Sequence, residues 1–502
     1  MISSGADRRT ALVVGAGLGG MSTALRLATK GYDVTVLEKD QKLGGRLNQI
    51  KEGGYTFDMG PSFYSMSYEF DQLFKDCGVG NPIQKEELDP VYAVYFDGKE
   101  KPYLIYKDLK KLAKEFEEVE PDFLPKAVKY LKKARELFHD TEDRIIKKNF
   151  DGKISHYWAL SGVPLKHAPL LFSTMWKKLE KQFDSEDVRI IFSLVSFFLG
   201  NTPFNTPSVY RLLNYTELQH DGYWSVKGGM YKIVEEIEKL CLTKGVKFVT
   251  STEIVSFESS GNICSGLIDK EGKKWEADVI VVNGDAAAFR GKVMKRKKFS
   301  EERLDKMKWT LAPLTIYLGL SEKLDDLYHH NYFLGSNFRE YANSIFTSTK
   351  SPDQPYYYVN VSSKSNPECA PKGGENVFIL CPVPDLRYKT DWSDRDDLVD
   401  LIIHDFGKRI GRDLTDVIEV KKVMDPRDWQ DKFNLYRGSG LGLSHSLNQI
   451  GGLRPNNFDE KFSNLYYVGA STTPGTGLPM VLISSHLVTK RIMKDHHVAA
   501  VV

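Results

Sequence analysis

The residues best suited to chemistry stand in one short run near the N-terminus, Gly15-Ala16-Gly17-Leu18-Gly19-Gly20. Gly15 permits a tight turn, Gly17 lets the backbone approach a pyrophosphate, and Gly20 lets a helix pack closely on a strand. A helix that begins at such a turn presents free N–H groups to phosphate oxygens. The elements that must hold these groups surround them in register. Ala11-Leu12-Val13-Val14 reads as a strand, the stretch from the glycines to Lys30 as a helix, and Tyr32 to Leu37 as a second strand ending at Glu38. Glu38 is therefore placed to accept hydrogen bonds from a ribose hydroxyl pair, which completes a dinucleotide-binding βαβ unit; the glycines alone would also fit an ordinary Gly-rich turn.

Further sites follow the same logic. In Lys39-Asp40-Gln41-Lys42-Leu43-Gly44-Gly45-Arg46 the paired glycines allow close passage of a ligand and Arg46 supplies a fixed cation for phosphate. Asp58-Met59-Gly60-Pro61 on its own is a Gly-Pro turn after a strand. At the far end, Leu465 to Gly469 reads as a buried strand that enters a Gly/Pro-rich turn through Pro474, Gly475 and Gly477. The apolar run Met480 to Val488 then reads as a helix whose N-terminus points back at that turn and carries partial positive charge. In the middle, Gly222-Tyr223-Trp224-Ser225-Val226-Lys227-Gly228-Gly229-Met230 precedes a helical stretch, Tyr231 to Leu240. Strands are then expected at Val246 to Val249, Ile254 to Phe257, Ile263 to Ile268 and Trp275 to Val282, ending at Asn283-Gly284-Asp285.

With these motifs the chain resembles the FAD superfamily that contains amine oxidases, protoporphyrinogen oxidase, the carotenoid desaturases and the Rab GDP-dissociation inhibitors. Asn464 to Pro479 is similar nearly throughout to the signature of bacterial-type phytoene and carotenoid desaturases, and the likeness spans residues 10 to 492. The segment from Tyr436 to Gly442, with His445, Gln449 and Arg454-Pro455, resembles the part that closes the substrate cavity over the flavin. Many members carry His where this chain has Thr473, so an imidazole role is absent there.

The resemblance implies an α/β fold: a Rossmann-type FAD-binding domain of the glutathione-reductase/amine-oxidase-like superfamily with an inserted mixed α+β substrate-binding lobe. The expected division is 10–100, 216–295 and 436–492 for the FAD-binding domain, 101–215 for a mainly helical, membrane-associated lobe, and 296–435 for the rest of the substrate lobe. FAD would be held by Gly15, Gly17, Gly19, Gly20, Glu38, Lys39, Gly45, Arg46, Gly60, Pro61, Ser62, Val255, Gly469, Ala470, Gly477, Leu478, Pro479 and Met480.

The activity implied is removal of two hydrogens from adjacent carbons of a carotenoid, one as hydride to flavin N5 and one as a proton, so the protein supplies orientation and a dry cavity. No Ser-His-Asp set is required, and His445 is the one weak candidate for a proton acceptor, set against a structural role. The favoured branch acts on acyclic, 1-hydroxylated ends and introduces a 3,4 double bond, with phytoene-type desaturation next. A polyene saturase, an amine oxidase and a prenyl-binding chaperone without flavin are the alternatives; the lysine and aromatic cage usual in amine oxidases find no place in the sequence. Oxygen and a quinone both remain as electron acceptor.

Composition sets outer bounds. With 502 residues, 69 basic and 67 acidic, the net charge of +2 gives no field for nucleic acid. Five scattered cysteines without CxxC spacing argue for a reducing compartment, and the eleven histidines show no metal-ligand spacing. Met1 to Arg9 lacks the apolar region of a signal peptide, so a cytoplasmic chain is expected. Ala168 to Phe183 combines Leu171, Phe172 and Trp176 with Lys177, Lys178 and Lys181. Such a helix either lies in a membrane interface, making the protein peripheral on the cytoplasmic membrane, or packs on its own core. For the run Ile190 to Leu199 the core is expected.

Overall fold

Apolar and β-branched residues fill the strands β1 (Thr10–Val14), β2 (Asp33–Leu37), β3 (Lys247–Val249), β4 (Val279–Val282) and β5 (Leu465–Tyr467). In the computed structural model, which describes residues 8–496, they pair in parallel in the order β3-β2-β1-β4-β5. Residues 1–7 of the Met1 to Arg9 stretch lie outside the described residues. β4 and β5 are buried along their whole length, as a parallel strand covered on both faces must be. The helices α1 (Leu18–Thr29), α2 (Lys232–Thr243) and α3 (Leu478–Asp495) cover one face, with α1 packed on both others. Buried Arg26 of α1 donates to Ser485 of α3 at 3.0 Å and pairs with Asp76 at 2.9 Å.

A second, seven-stranded sheet runs in the order Ile418–Met424, Ala312–Leu320, Glu375–Val383, Tyr357–Asn360, His330–Leu334, Tyr92–Phe96, Tyr103–Ile105. It is antiparallel except where His330–Leu334 meets Tyr92–Phe96. A division at residue 100 therefore cuts between two paired strands: Tyr92–Phe96 and Tyr103–Ile105 both belong to the seven-stranded sheet. One face carries a core around Leu314, Ile316, Val359 and Ile379, and the other looks towards the parallel sheet. The segment from Leu109 to His220 is helical throughout, apart from its connecting turns.

Two expected elements differ. Trp275 to Val282 is two strands: Lys274–Trp275 pairs with Ile263–Asp269, and the polar step through Glu276 and Asp278 separates it from β4. The Asp278 carboxylate there accepts from the backbone N–H of Thr10 at 2.8 Å. Ala168 to Phe183 is broken into Ala168–Leu171 and Met175–Glu180, because Thr174 caps the second helix by accepting from the Lys177 amide at 3.3 Å. Leu170, Met175, Trp176, Leu179 and Phe183 are all buried, so the two short helices pack on the core, while Phe172 between them is exposed. The run Ile190 to Leu199 is likewise packed inside, save Phe197 and Phe198, which are part-exposed and line the cavity described below.

Candidate functional site

In a parallel sheet flanked by helices, ligands lie beyond the carboxyl ends of the strands. Here β1 ends at the Gly15 turn, β2 at Glu38, β4 at Asn283 and β5 at Gly469, and all four positions line one cavity of about 1060 Å³. Helix α1 opens from Gly17 without a side-chain cap and without an acidic residue in its first turn. Its leading N–H groups are left for an anion. Gly20 does not line the cavity: a Cβ there would stand 2.0 Å from the Gly15 carbonyl oxygen, so it acts through close helix–strand packing.

One side chain organises both glycine loops. Asn283 donates to the Gly15 carbonyl at 3.3 Å, and a Cβ added at Gly17, Gly19 or Gly469 would meet it at 2.9, 2.6 and 2.6 Å. Glu38 is buried, and its carboxylate accepts from the amides of Ala16 at 2.6 Å and Asp40 at 3.1 Å; burial nevertheless raises its pKa above the ordinary value. Arg46 donates to the Gly440 carbonyl at 2.9 Å, and burial works against its charge while Asp285 supports it. Asp285 in turn accepts from the Ser471 hydroxyl at 3.0 Å and the Ala287 amide at 2.8 Å. Lys39 lines the cavity but turns its ammonium group to the carbonyls of Asp431 and Lys432.

Gly45 lies against Gly17, and Gly60, Pro61, Ser62, Ala470, Leu478, Pro479 and Met480 share the lining with it. Gly477 precedes α3 at φ +112°, a conformation for which glycine is suited. Val255 sits with Thr252, Glu253 and Lys292 at the β2 end. His445 also reaches the cavity, and its Nε2 accepts from the Thr476 amide at 3.3 Å. Burial, reinforced by the nearby Arg454, lowers its pKa to about 3. The ring is thus neutral, its acceptor nitrogen is already occupied, and what it holds is the turn before α3.

The same cavity runs on between the helical segment and the seven-stranded sheet. The charged residues that line it, Glu38, Lys39, Asp40, Arg46, Glu253, Asp285 and Lys292, all stand at the dinucleotide end. The remainder is walled mainly by aliphatic and aromatic side chains from Leu137 to Leu171, Leu194 to Leu213 and Leu311 to Pro382, with Thr141, His167 and Thr216 among them.

The family model described as flavin containing amine oxidoreductase matches residues 18–493. The chain belongs to that family. Its cofactor is FAD. Among curated proteins this flavin oxidoreductase is 32% identical, over 100% of its own length and 97% of the other's, to a zeta-carotene-forming phytoene desaturase of Myxococcus xanthus. It is 29% identical, over 96% and 98%, to a carotenoid 3,4-desaturase of Haloarcula japonica. Among solved structures, an oxidoreductase of Methanosarcina mazei superposes with a TM-score of 0.62 at 17% identity, over 96% of this chain and all of that one, which establishes the fold.

The residues fit FAD: an uncapped helix N-terminus, glycines closed around Asn283, and a buried carboxylate at the end of β2 occur on one cavity. Sequence reasoning missed Asn283 as an organiser, although the strand leading to it was expected. It also missed Trp429, which packs against Gly60, and an aromatic cluster of Phe63, Tyr223, Tyr332 and Tyr358 beside Ser62. The three consecutive tyrosines Tyr356-Tyr357-Tyr358 were the available signal. Among the described residues no group of three or more His, Cys, Asp or Glu is arranged to hold a metal, and all five cysteines are buried and free.

Proposed function

We propose that this flavoprotein is a carotenoid desaturase that dehydrogenates an acyclic, 1-hydroxylated polyene at its 3,4 position and so extends the conjugated system. The observation that carries this reading is the cavity: among the described residues its charged lining lies where the dinucleotide belongs, and the rest is a long, largely apolar path. A charged amine would be desolvated there without a partner. When bound, FAD supplies the two-electron acceptor. The chain itself orients the polyene, excludes water and directs the start of α3 at the ring end of the cofactor site. The substrate proton passes to water or a weak acceptor, since His445 is a poor base, and oxygen or a quinone takes up the electrons. The flavin-loaded protein in carotenoid-containing liposomes should bleach anaerobically and form a product absorbing at longer wavelength. Flavin that stays oxidised with every acyclic carotenoid offered would sink the assignment.

The substrate is insoluble in water, so the cavity must open on a bilayer, and the protein is peripheral on the cytoplasmic membrane in this reading. No helix among the described residues is long and apolar enough to cross a membrane. Ile154, Tyr157 and Trp158 share one face of Lys153–Ser161 and are 81%, 60% and 77% exposed, and Leu165 and Phe172 are 87% and 89% exposed. Between them Leu160, Val163, Pro164 and Leu171 line the cavity, so the exposed apolar patch and the inner path are continuous. Replacing Ile154, Trp158, Leu165 and Phe172 together with Ser is expected to lower liposome co-sedimentation at least about tenfold, given the apolar area removed, with flavin content unchanged. Unchanged sedimentation would place the docking surface elsewhere.

A further inference from the structure

Tyrosines from the seven-stranded sheet and from the elements around it line the cavity, and their hydroxyls are nearly all spoken for. Tyr210 donates to the His445 carbonyl at 2.7 Å, Tyr341 to the Pro382 carbonyl at 2.8 Å, and Tyr357 to the Asp405 carboxylate at 2.6 Å. Tyr223 donates to Glu217 at 3.0 Å, and Tyr356 to the Asn337 side chain at 3.1 Å. Tyr358 shares hydrogen bonds with Ser62 at 2.9 Å and His330 at 2.6 Å. Tyr332 is the exception: it lines the cavity, and no hydrogen bond joins its hydroxyl to another of the described residues.

This phenol is rigidly held. Tyr332 lies mid-strand, in register with Tyr358 on one side and Val94 on the other. Its ring packs edge-on against Tyr92 at 5.3 Å, against Tyr358 at 5.3 Å, and parallel to Phe63 at 6.5 Å. Desolvation holds its pKa far above the ordinary phenol value, so it stays a neutral O–H able to donate and accept. A lone hydroxyl on an otherwise apolar wall costs free energy until something polar meets it.

We propose that Tyr332 reads a hydroxyl on the end of the polyene and sets the preference for a hydroxylated over an unsubstituted chain. The inference rests on the desaturase reading above and adds to it the group that distinguishes two substrates of the same length. Position supports it. In a 1-hydroxylated chain the 3,4 bond begins two bonds from the carbon that carries the hydroxyl, so the reading group must stand beside the reacting bond and not at a remote end. Tyr332 does so: its strand partner Tyr358 bonds to Ser62, which adjoins the flavin-lining Gly60 and Pro61.

The test is Tyr332→Phe, which keeps the ring and its packing. Flavin-loaded wild type and variant are compared in liposomes carrying an acyclic carotenoid with or without a 1-hydroxyl group. Two readouts are taken: binding, from quenching of protein fluorescence, and KM and kcat from anaerobic flavin bleaching. The expected result is an approximately tenfold weaker binding and higher KM for the hydroxylated chain alone, the loss of one hydrogen bond, with flavin content and thermal midpoint preserved. An equal loss on both carotenoids, or no loss on either, overturns the assignment. Selective binding with no bleaching in the wild type keeps the role of Tyr332 and overturns the desaturase reading instead.

Discussion

Gly17→Val is expected to give a folded protein that carries no flavin. The backbone at Gly17, φ −71° and ψ 170°, is open to any residue, so valine meets little conformational penalty. The penalty falls on the ligand side. A Cβ at this position stands 2.9 Å from Asn283 Nδ2, and the rest of the side chain occupies the space between Gly17 and the Gly44-Gly45 turn, with which Gly17 forms a backbone bridge. Asn283 must shift, and with it the hydrogen bond that holds the Gly15 turn. The absorbance of the purified variant between 350 and 500 nm decides the matter. A normal flavin-to-protein ratio would mean that the dinucleotide does not pass over Gly17.

Arg454→Met should have the largest effect on stability. Arg454 is 2% exposed, and all five of its N–H groups are used, on the carbonyls of Leu443, Ser444, Gln449, Ala470 and Thr472 at 2.7–3.1 Å. No carboxylate pairs with it, and burial lowers its pKa to about 10, which leaves the guanidinium charged. Methionine fills much of the volume but strands four buried carbonyls, that of Ser444 keeping the Gln449 side-chain amide at 3.3 Å, at about 1–3 kcal/mol each before relaxation. The net loss should exceed ~4 kcal/mol, the range reached when a buried polar network is broken. Arg454→Lys, with three donors, should recover part of it. Urea unfolding of the flavin-loaded forms provides the measurement, and a Met variant within about 1 kcal/mol of wild type would refute the account. Because those carbonyls belong to the two stretches that border His445 and Gly469, the Met variant should also lose flavin faster on dilution.

What the sequence disclosed follows from where each interaction resides. Gly15, Gly17 and Glu38 act within one βαβ unit, so their spacing along the chain carries the geometry. The turn at Gly477 and the helix after it are equally local. Asn283 and Tyr332 owe their roles to contacts with residues far off in sequence, and Arg454 gathers carbonyls from irregular chain on either side of it, so no regular spacing announces them. The stretch from Ala168 to Phe183 stayed open between two readings for another reason. Apolar residues interleaved with lysines describe both an interfacial helix and a core helix with a wet edge, and the deciding feature was the Ser173-Thr174 break, a capping signal. The exposed face of Ile154, Tyr157 and Trp158 escaped notice because its helix spans only nine residues.

The parallel sheet is completed by β5, and α1 is covered by α3, so the two halves of the cofactor cradle leave the ribosome at opposite ends of synthesis. At ~5–20 residues per second, β1 waits on the order of a minute for its sheet to be closed. From the emergence of β4 until β5 follows, the free edge of β4 is exposed to other nascent chains and calls for shielding. Loading with FAD is consequently an event in the life of the finished polypeptide, and a chain halted before residue 465 holds half a site and no cofactor.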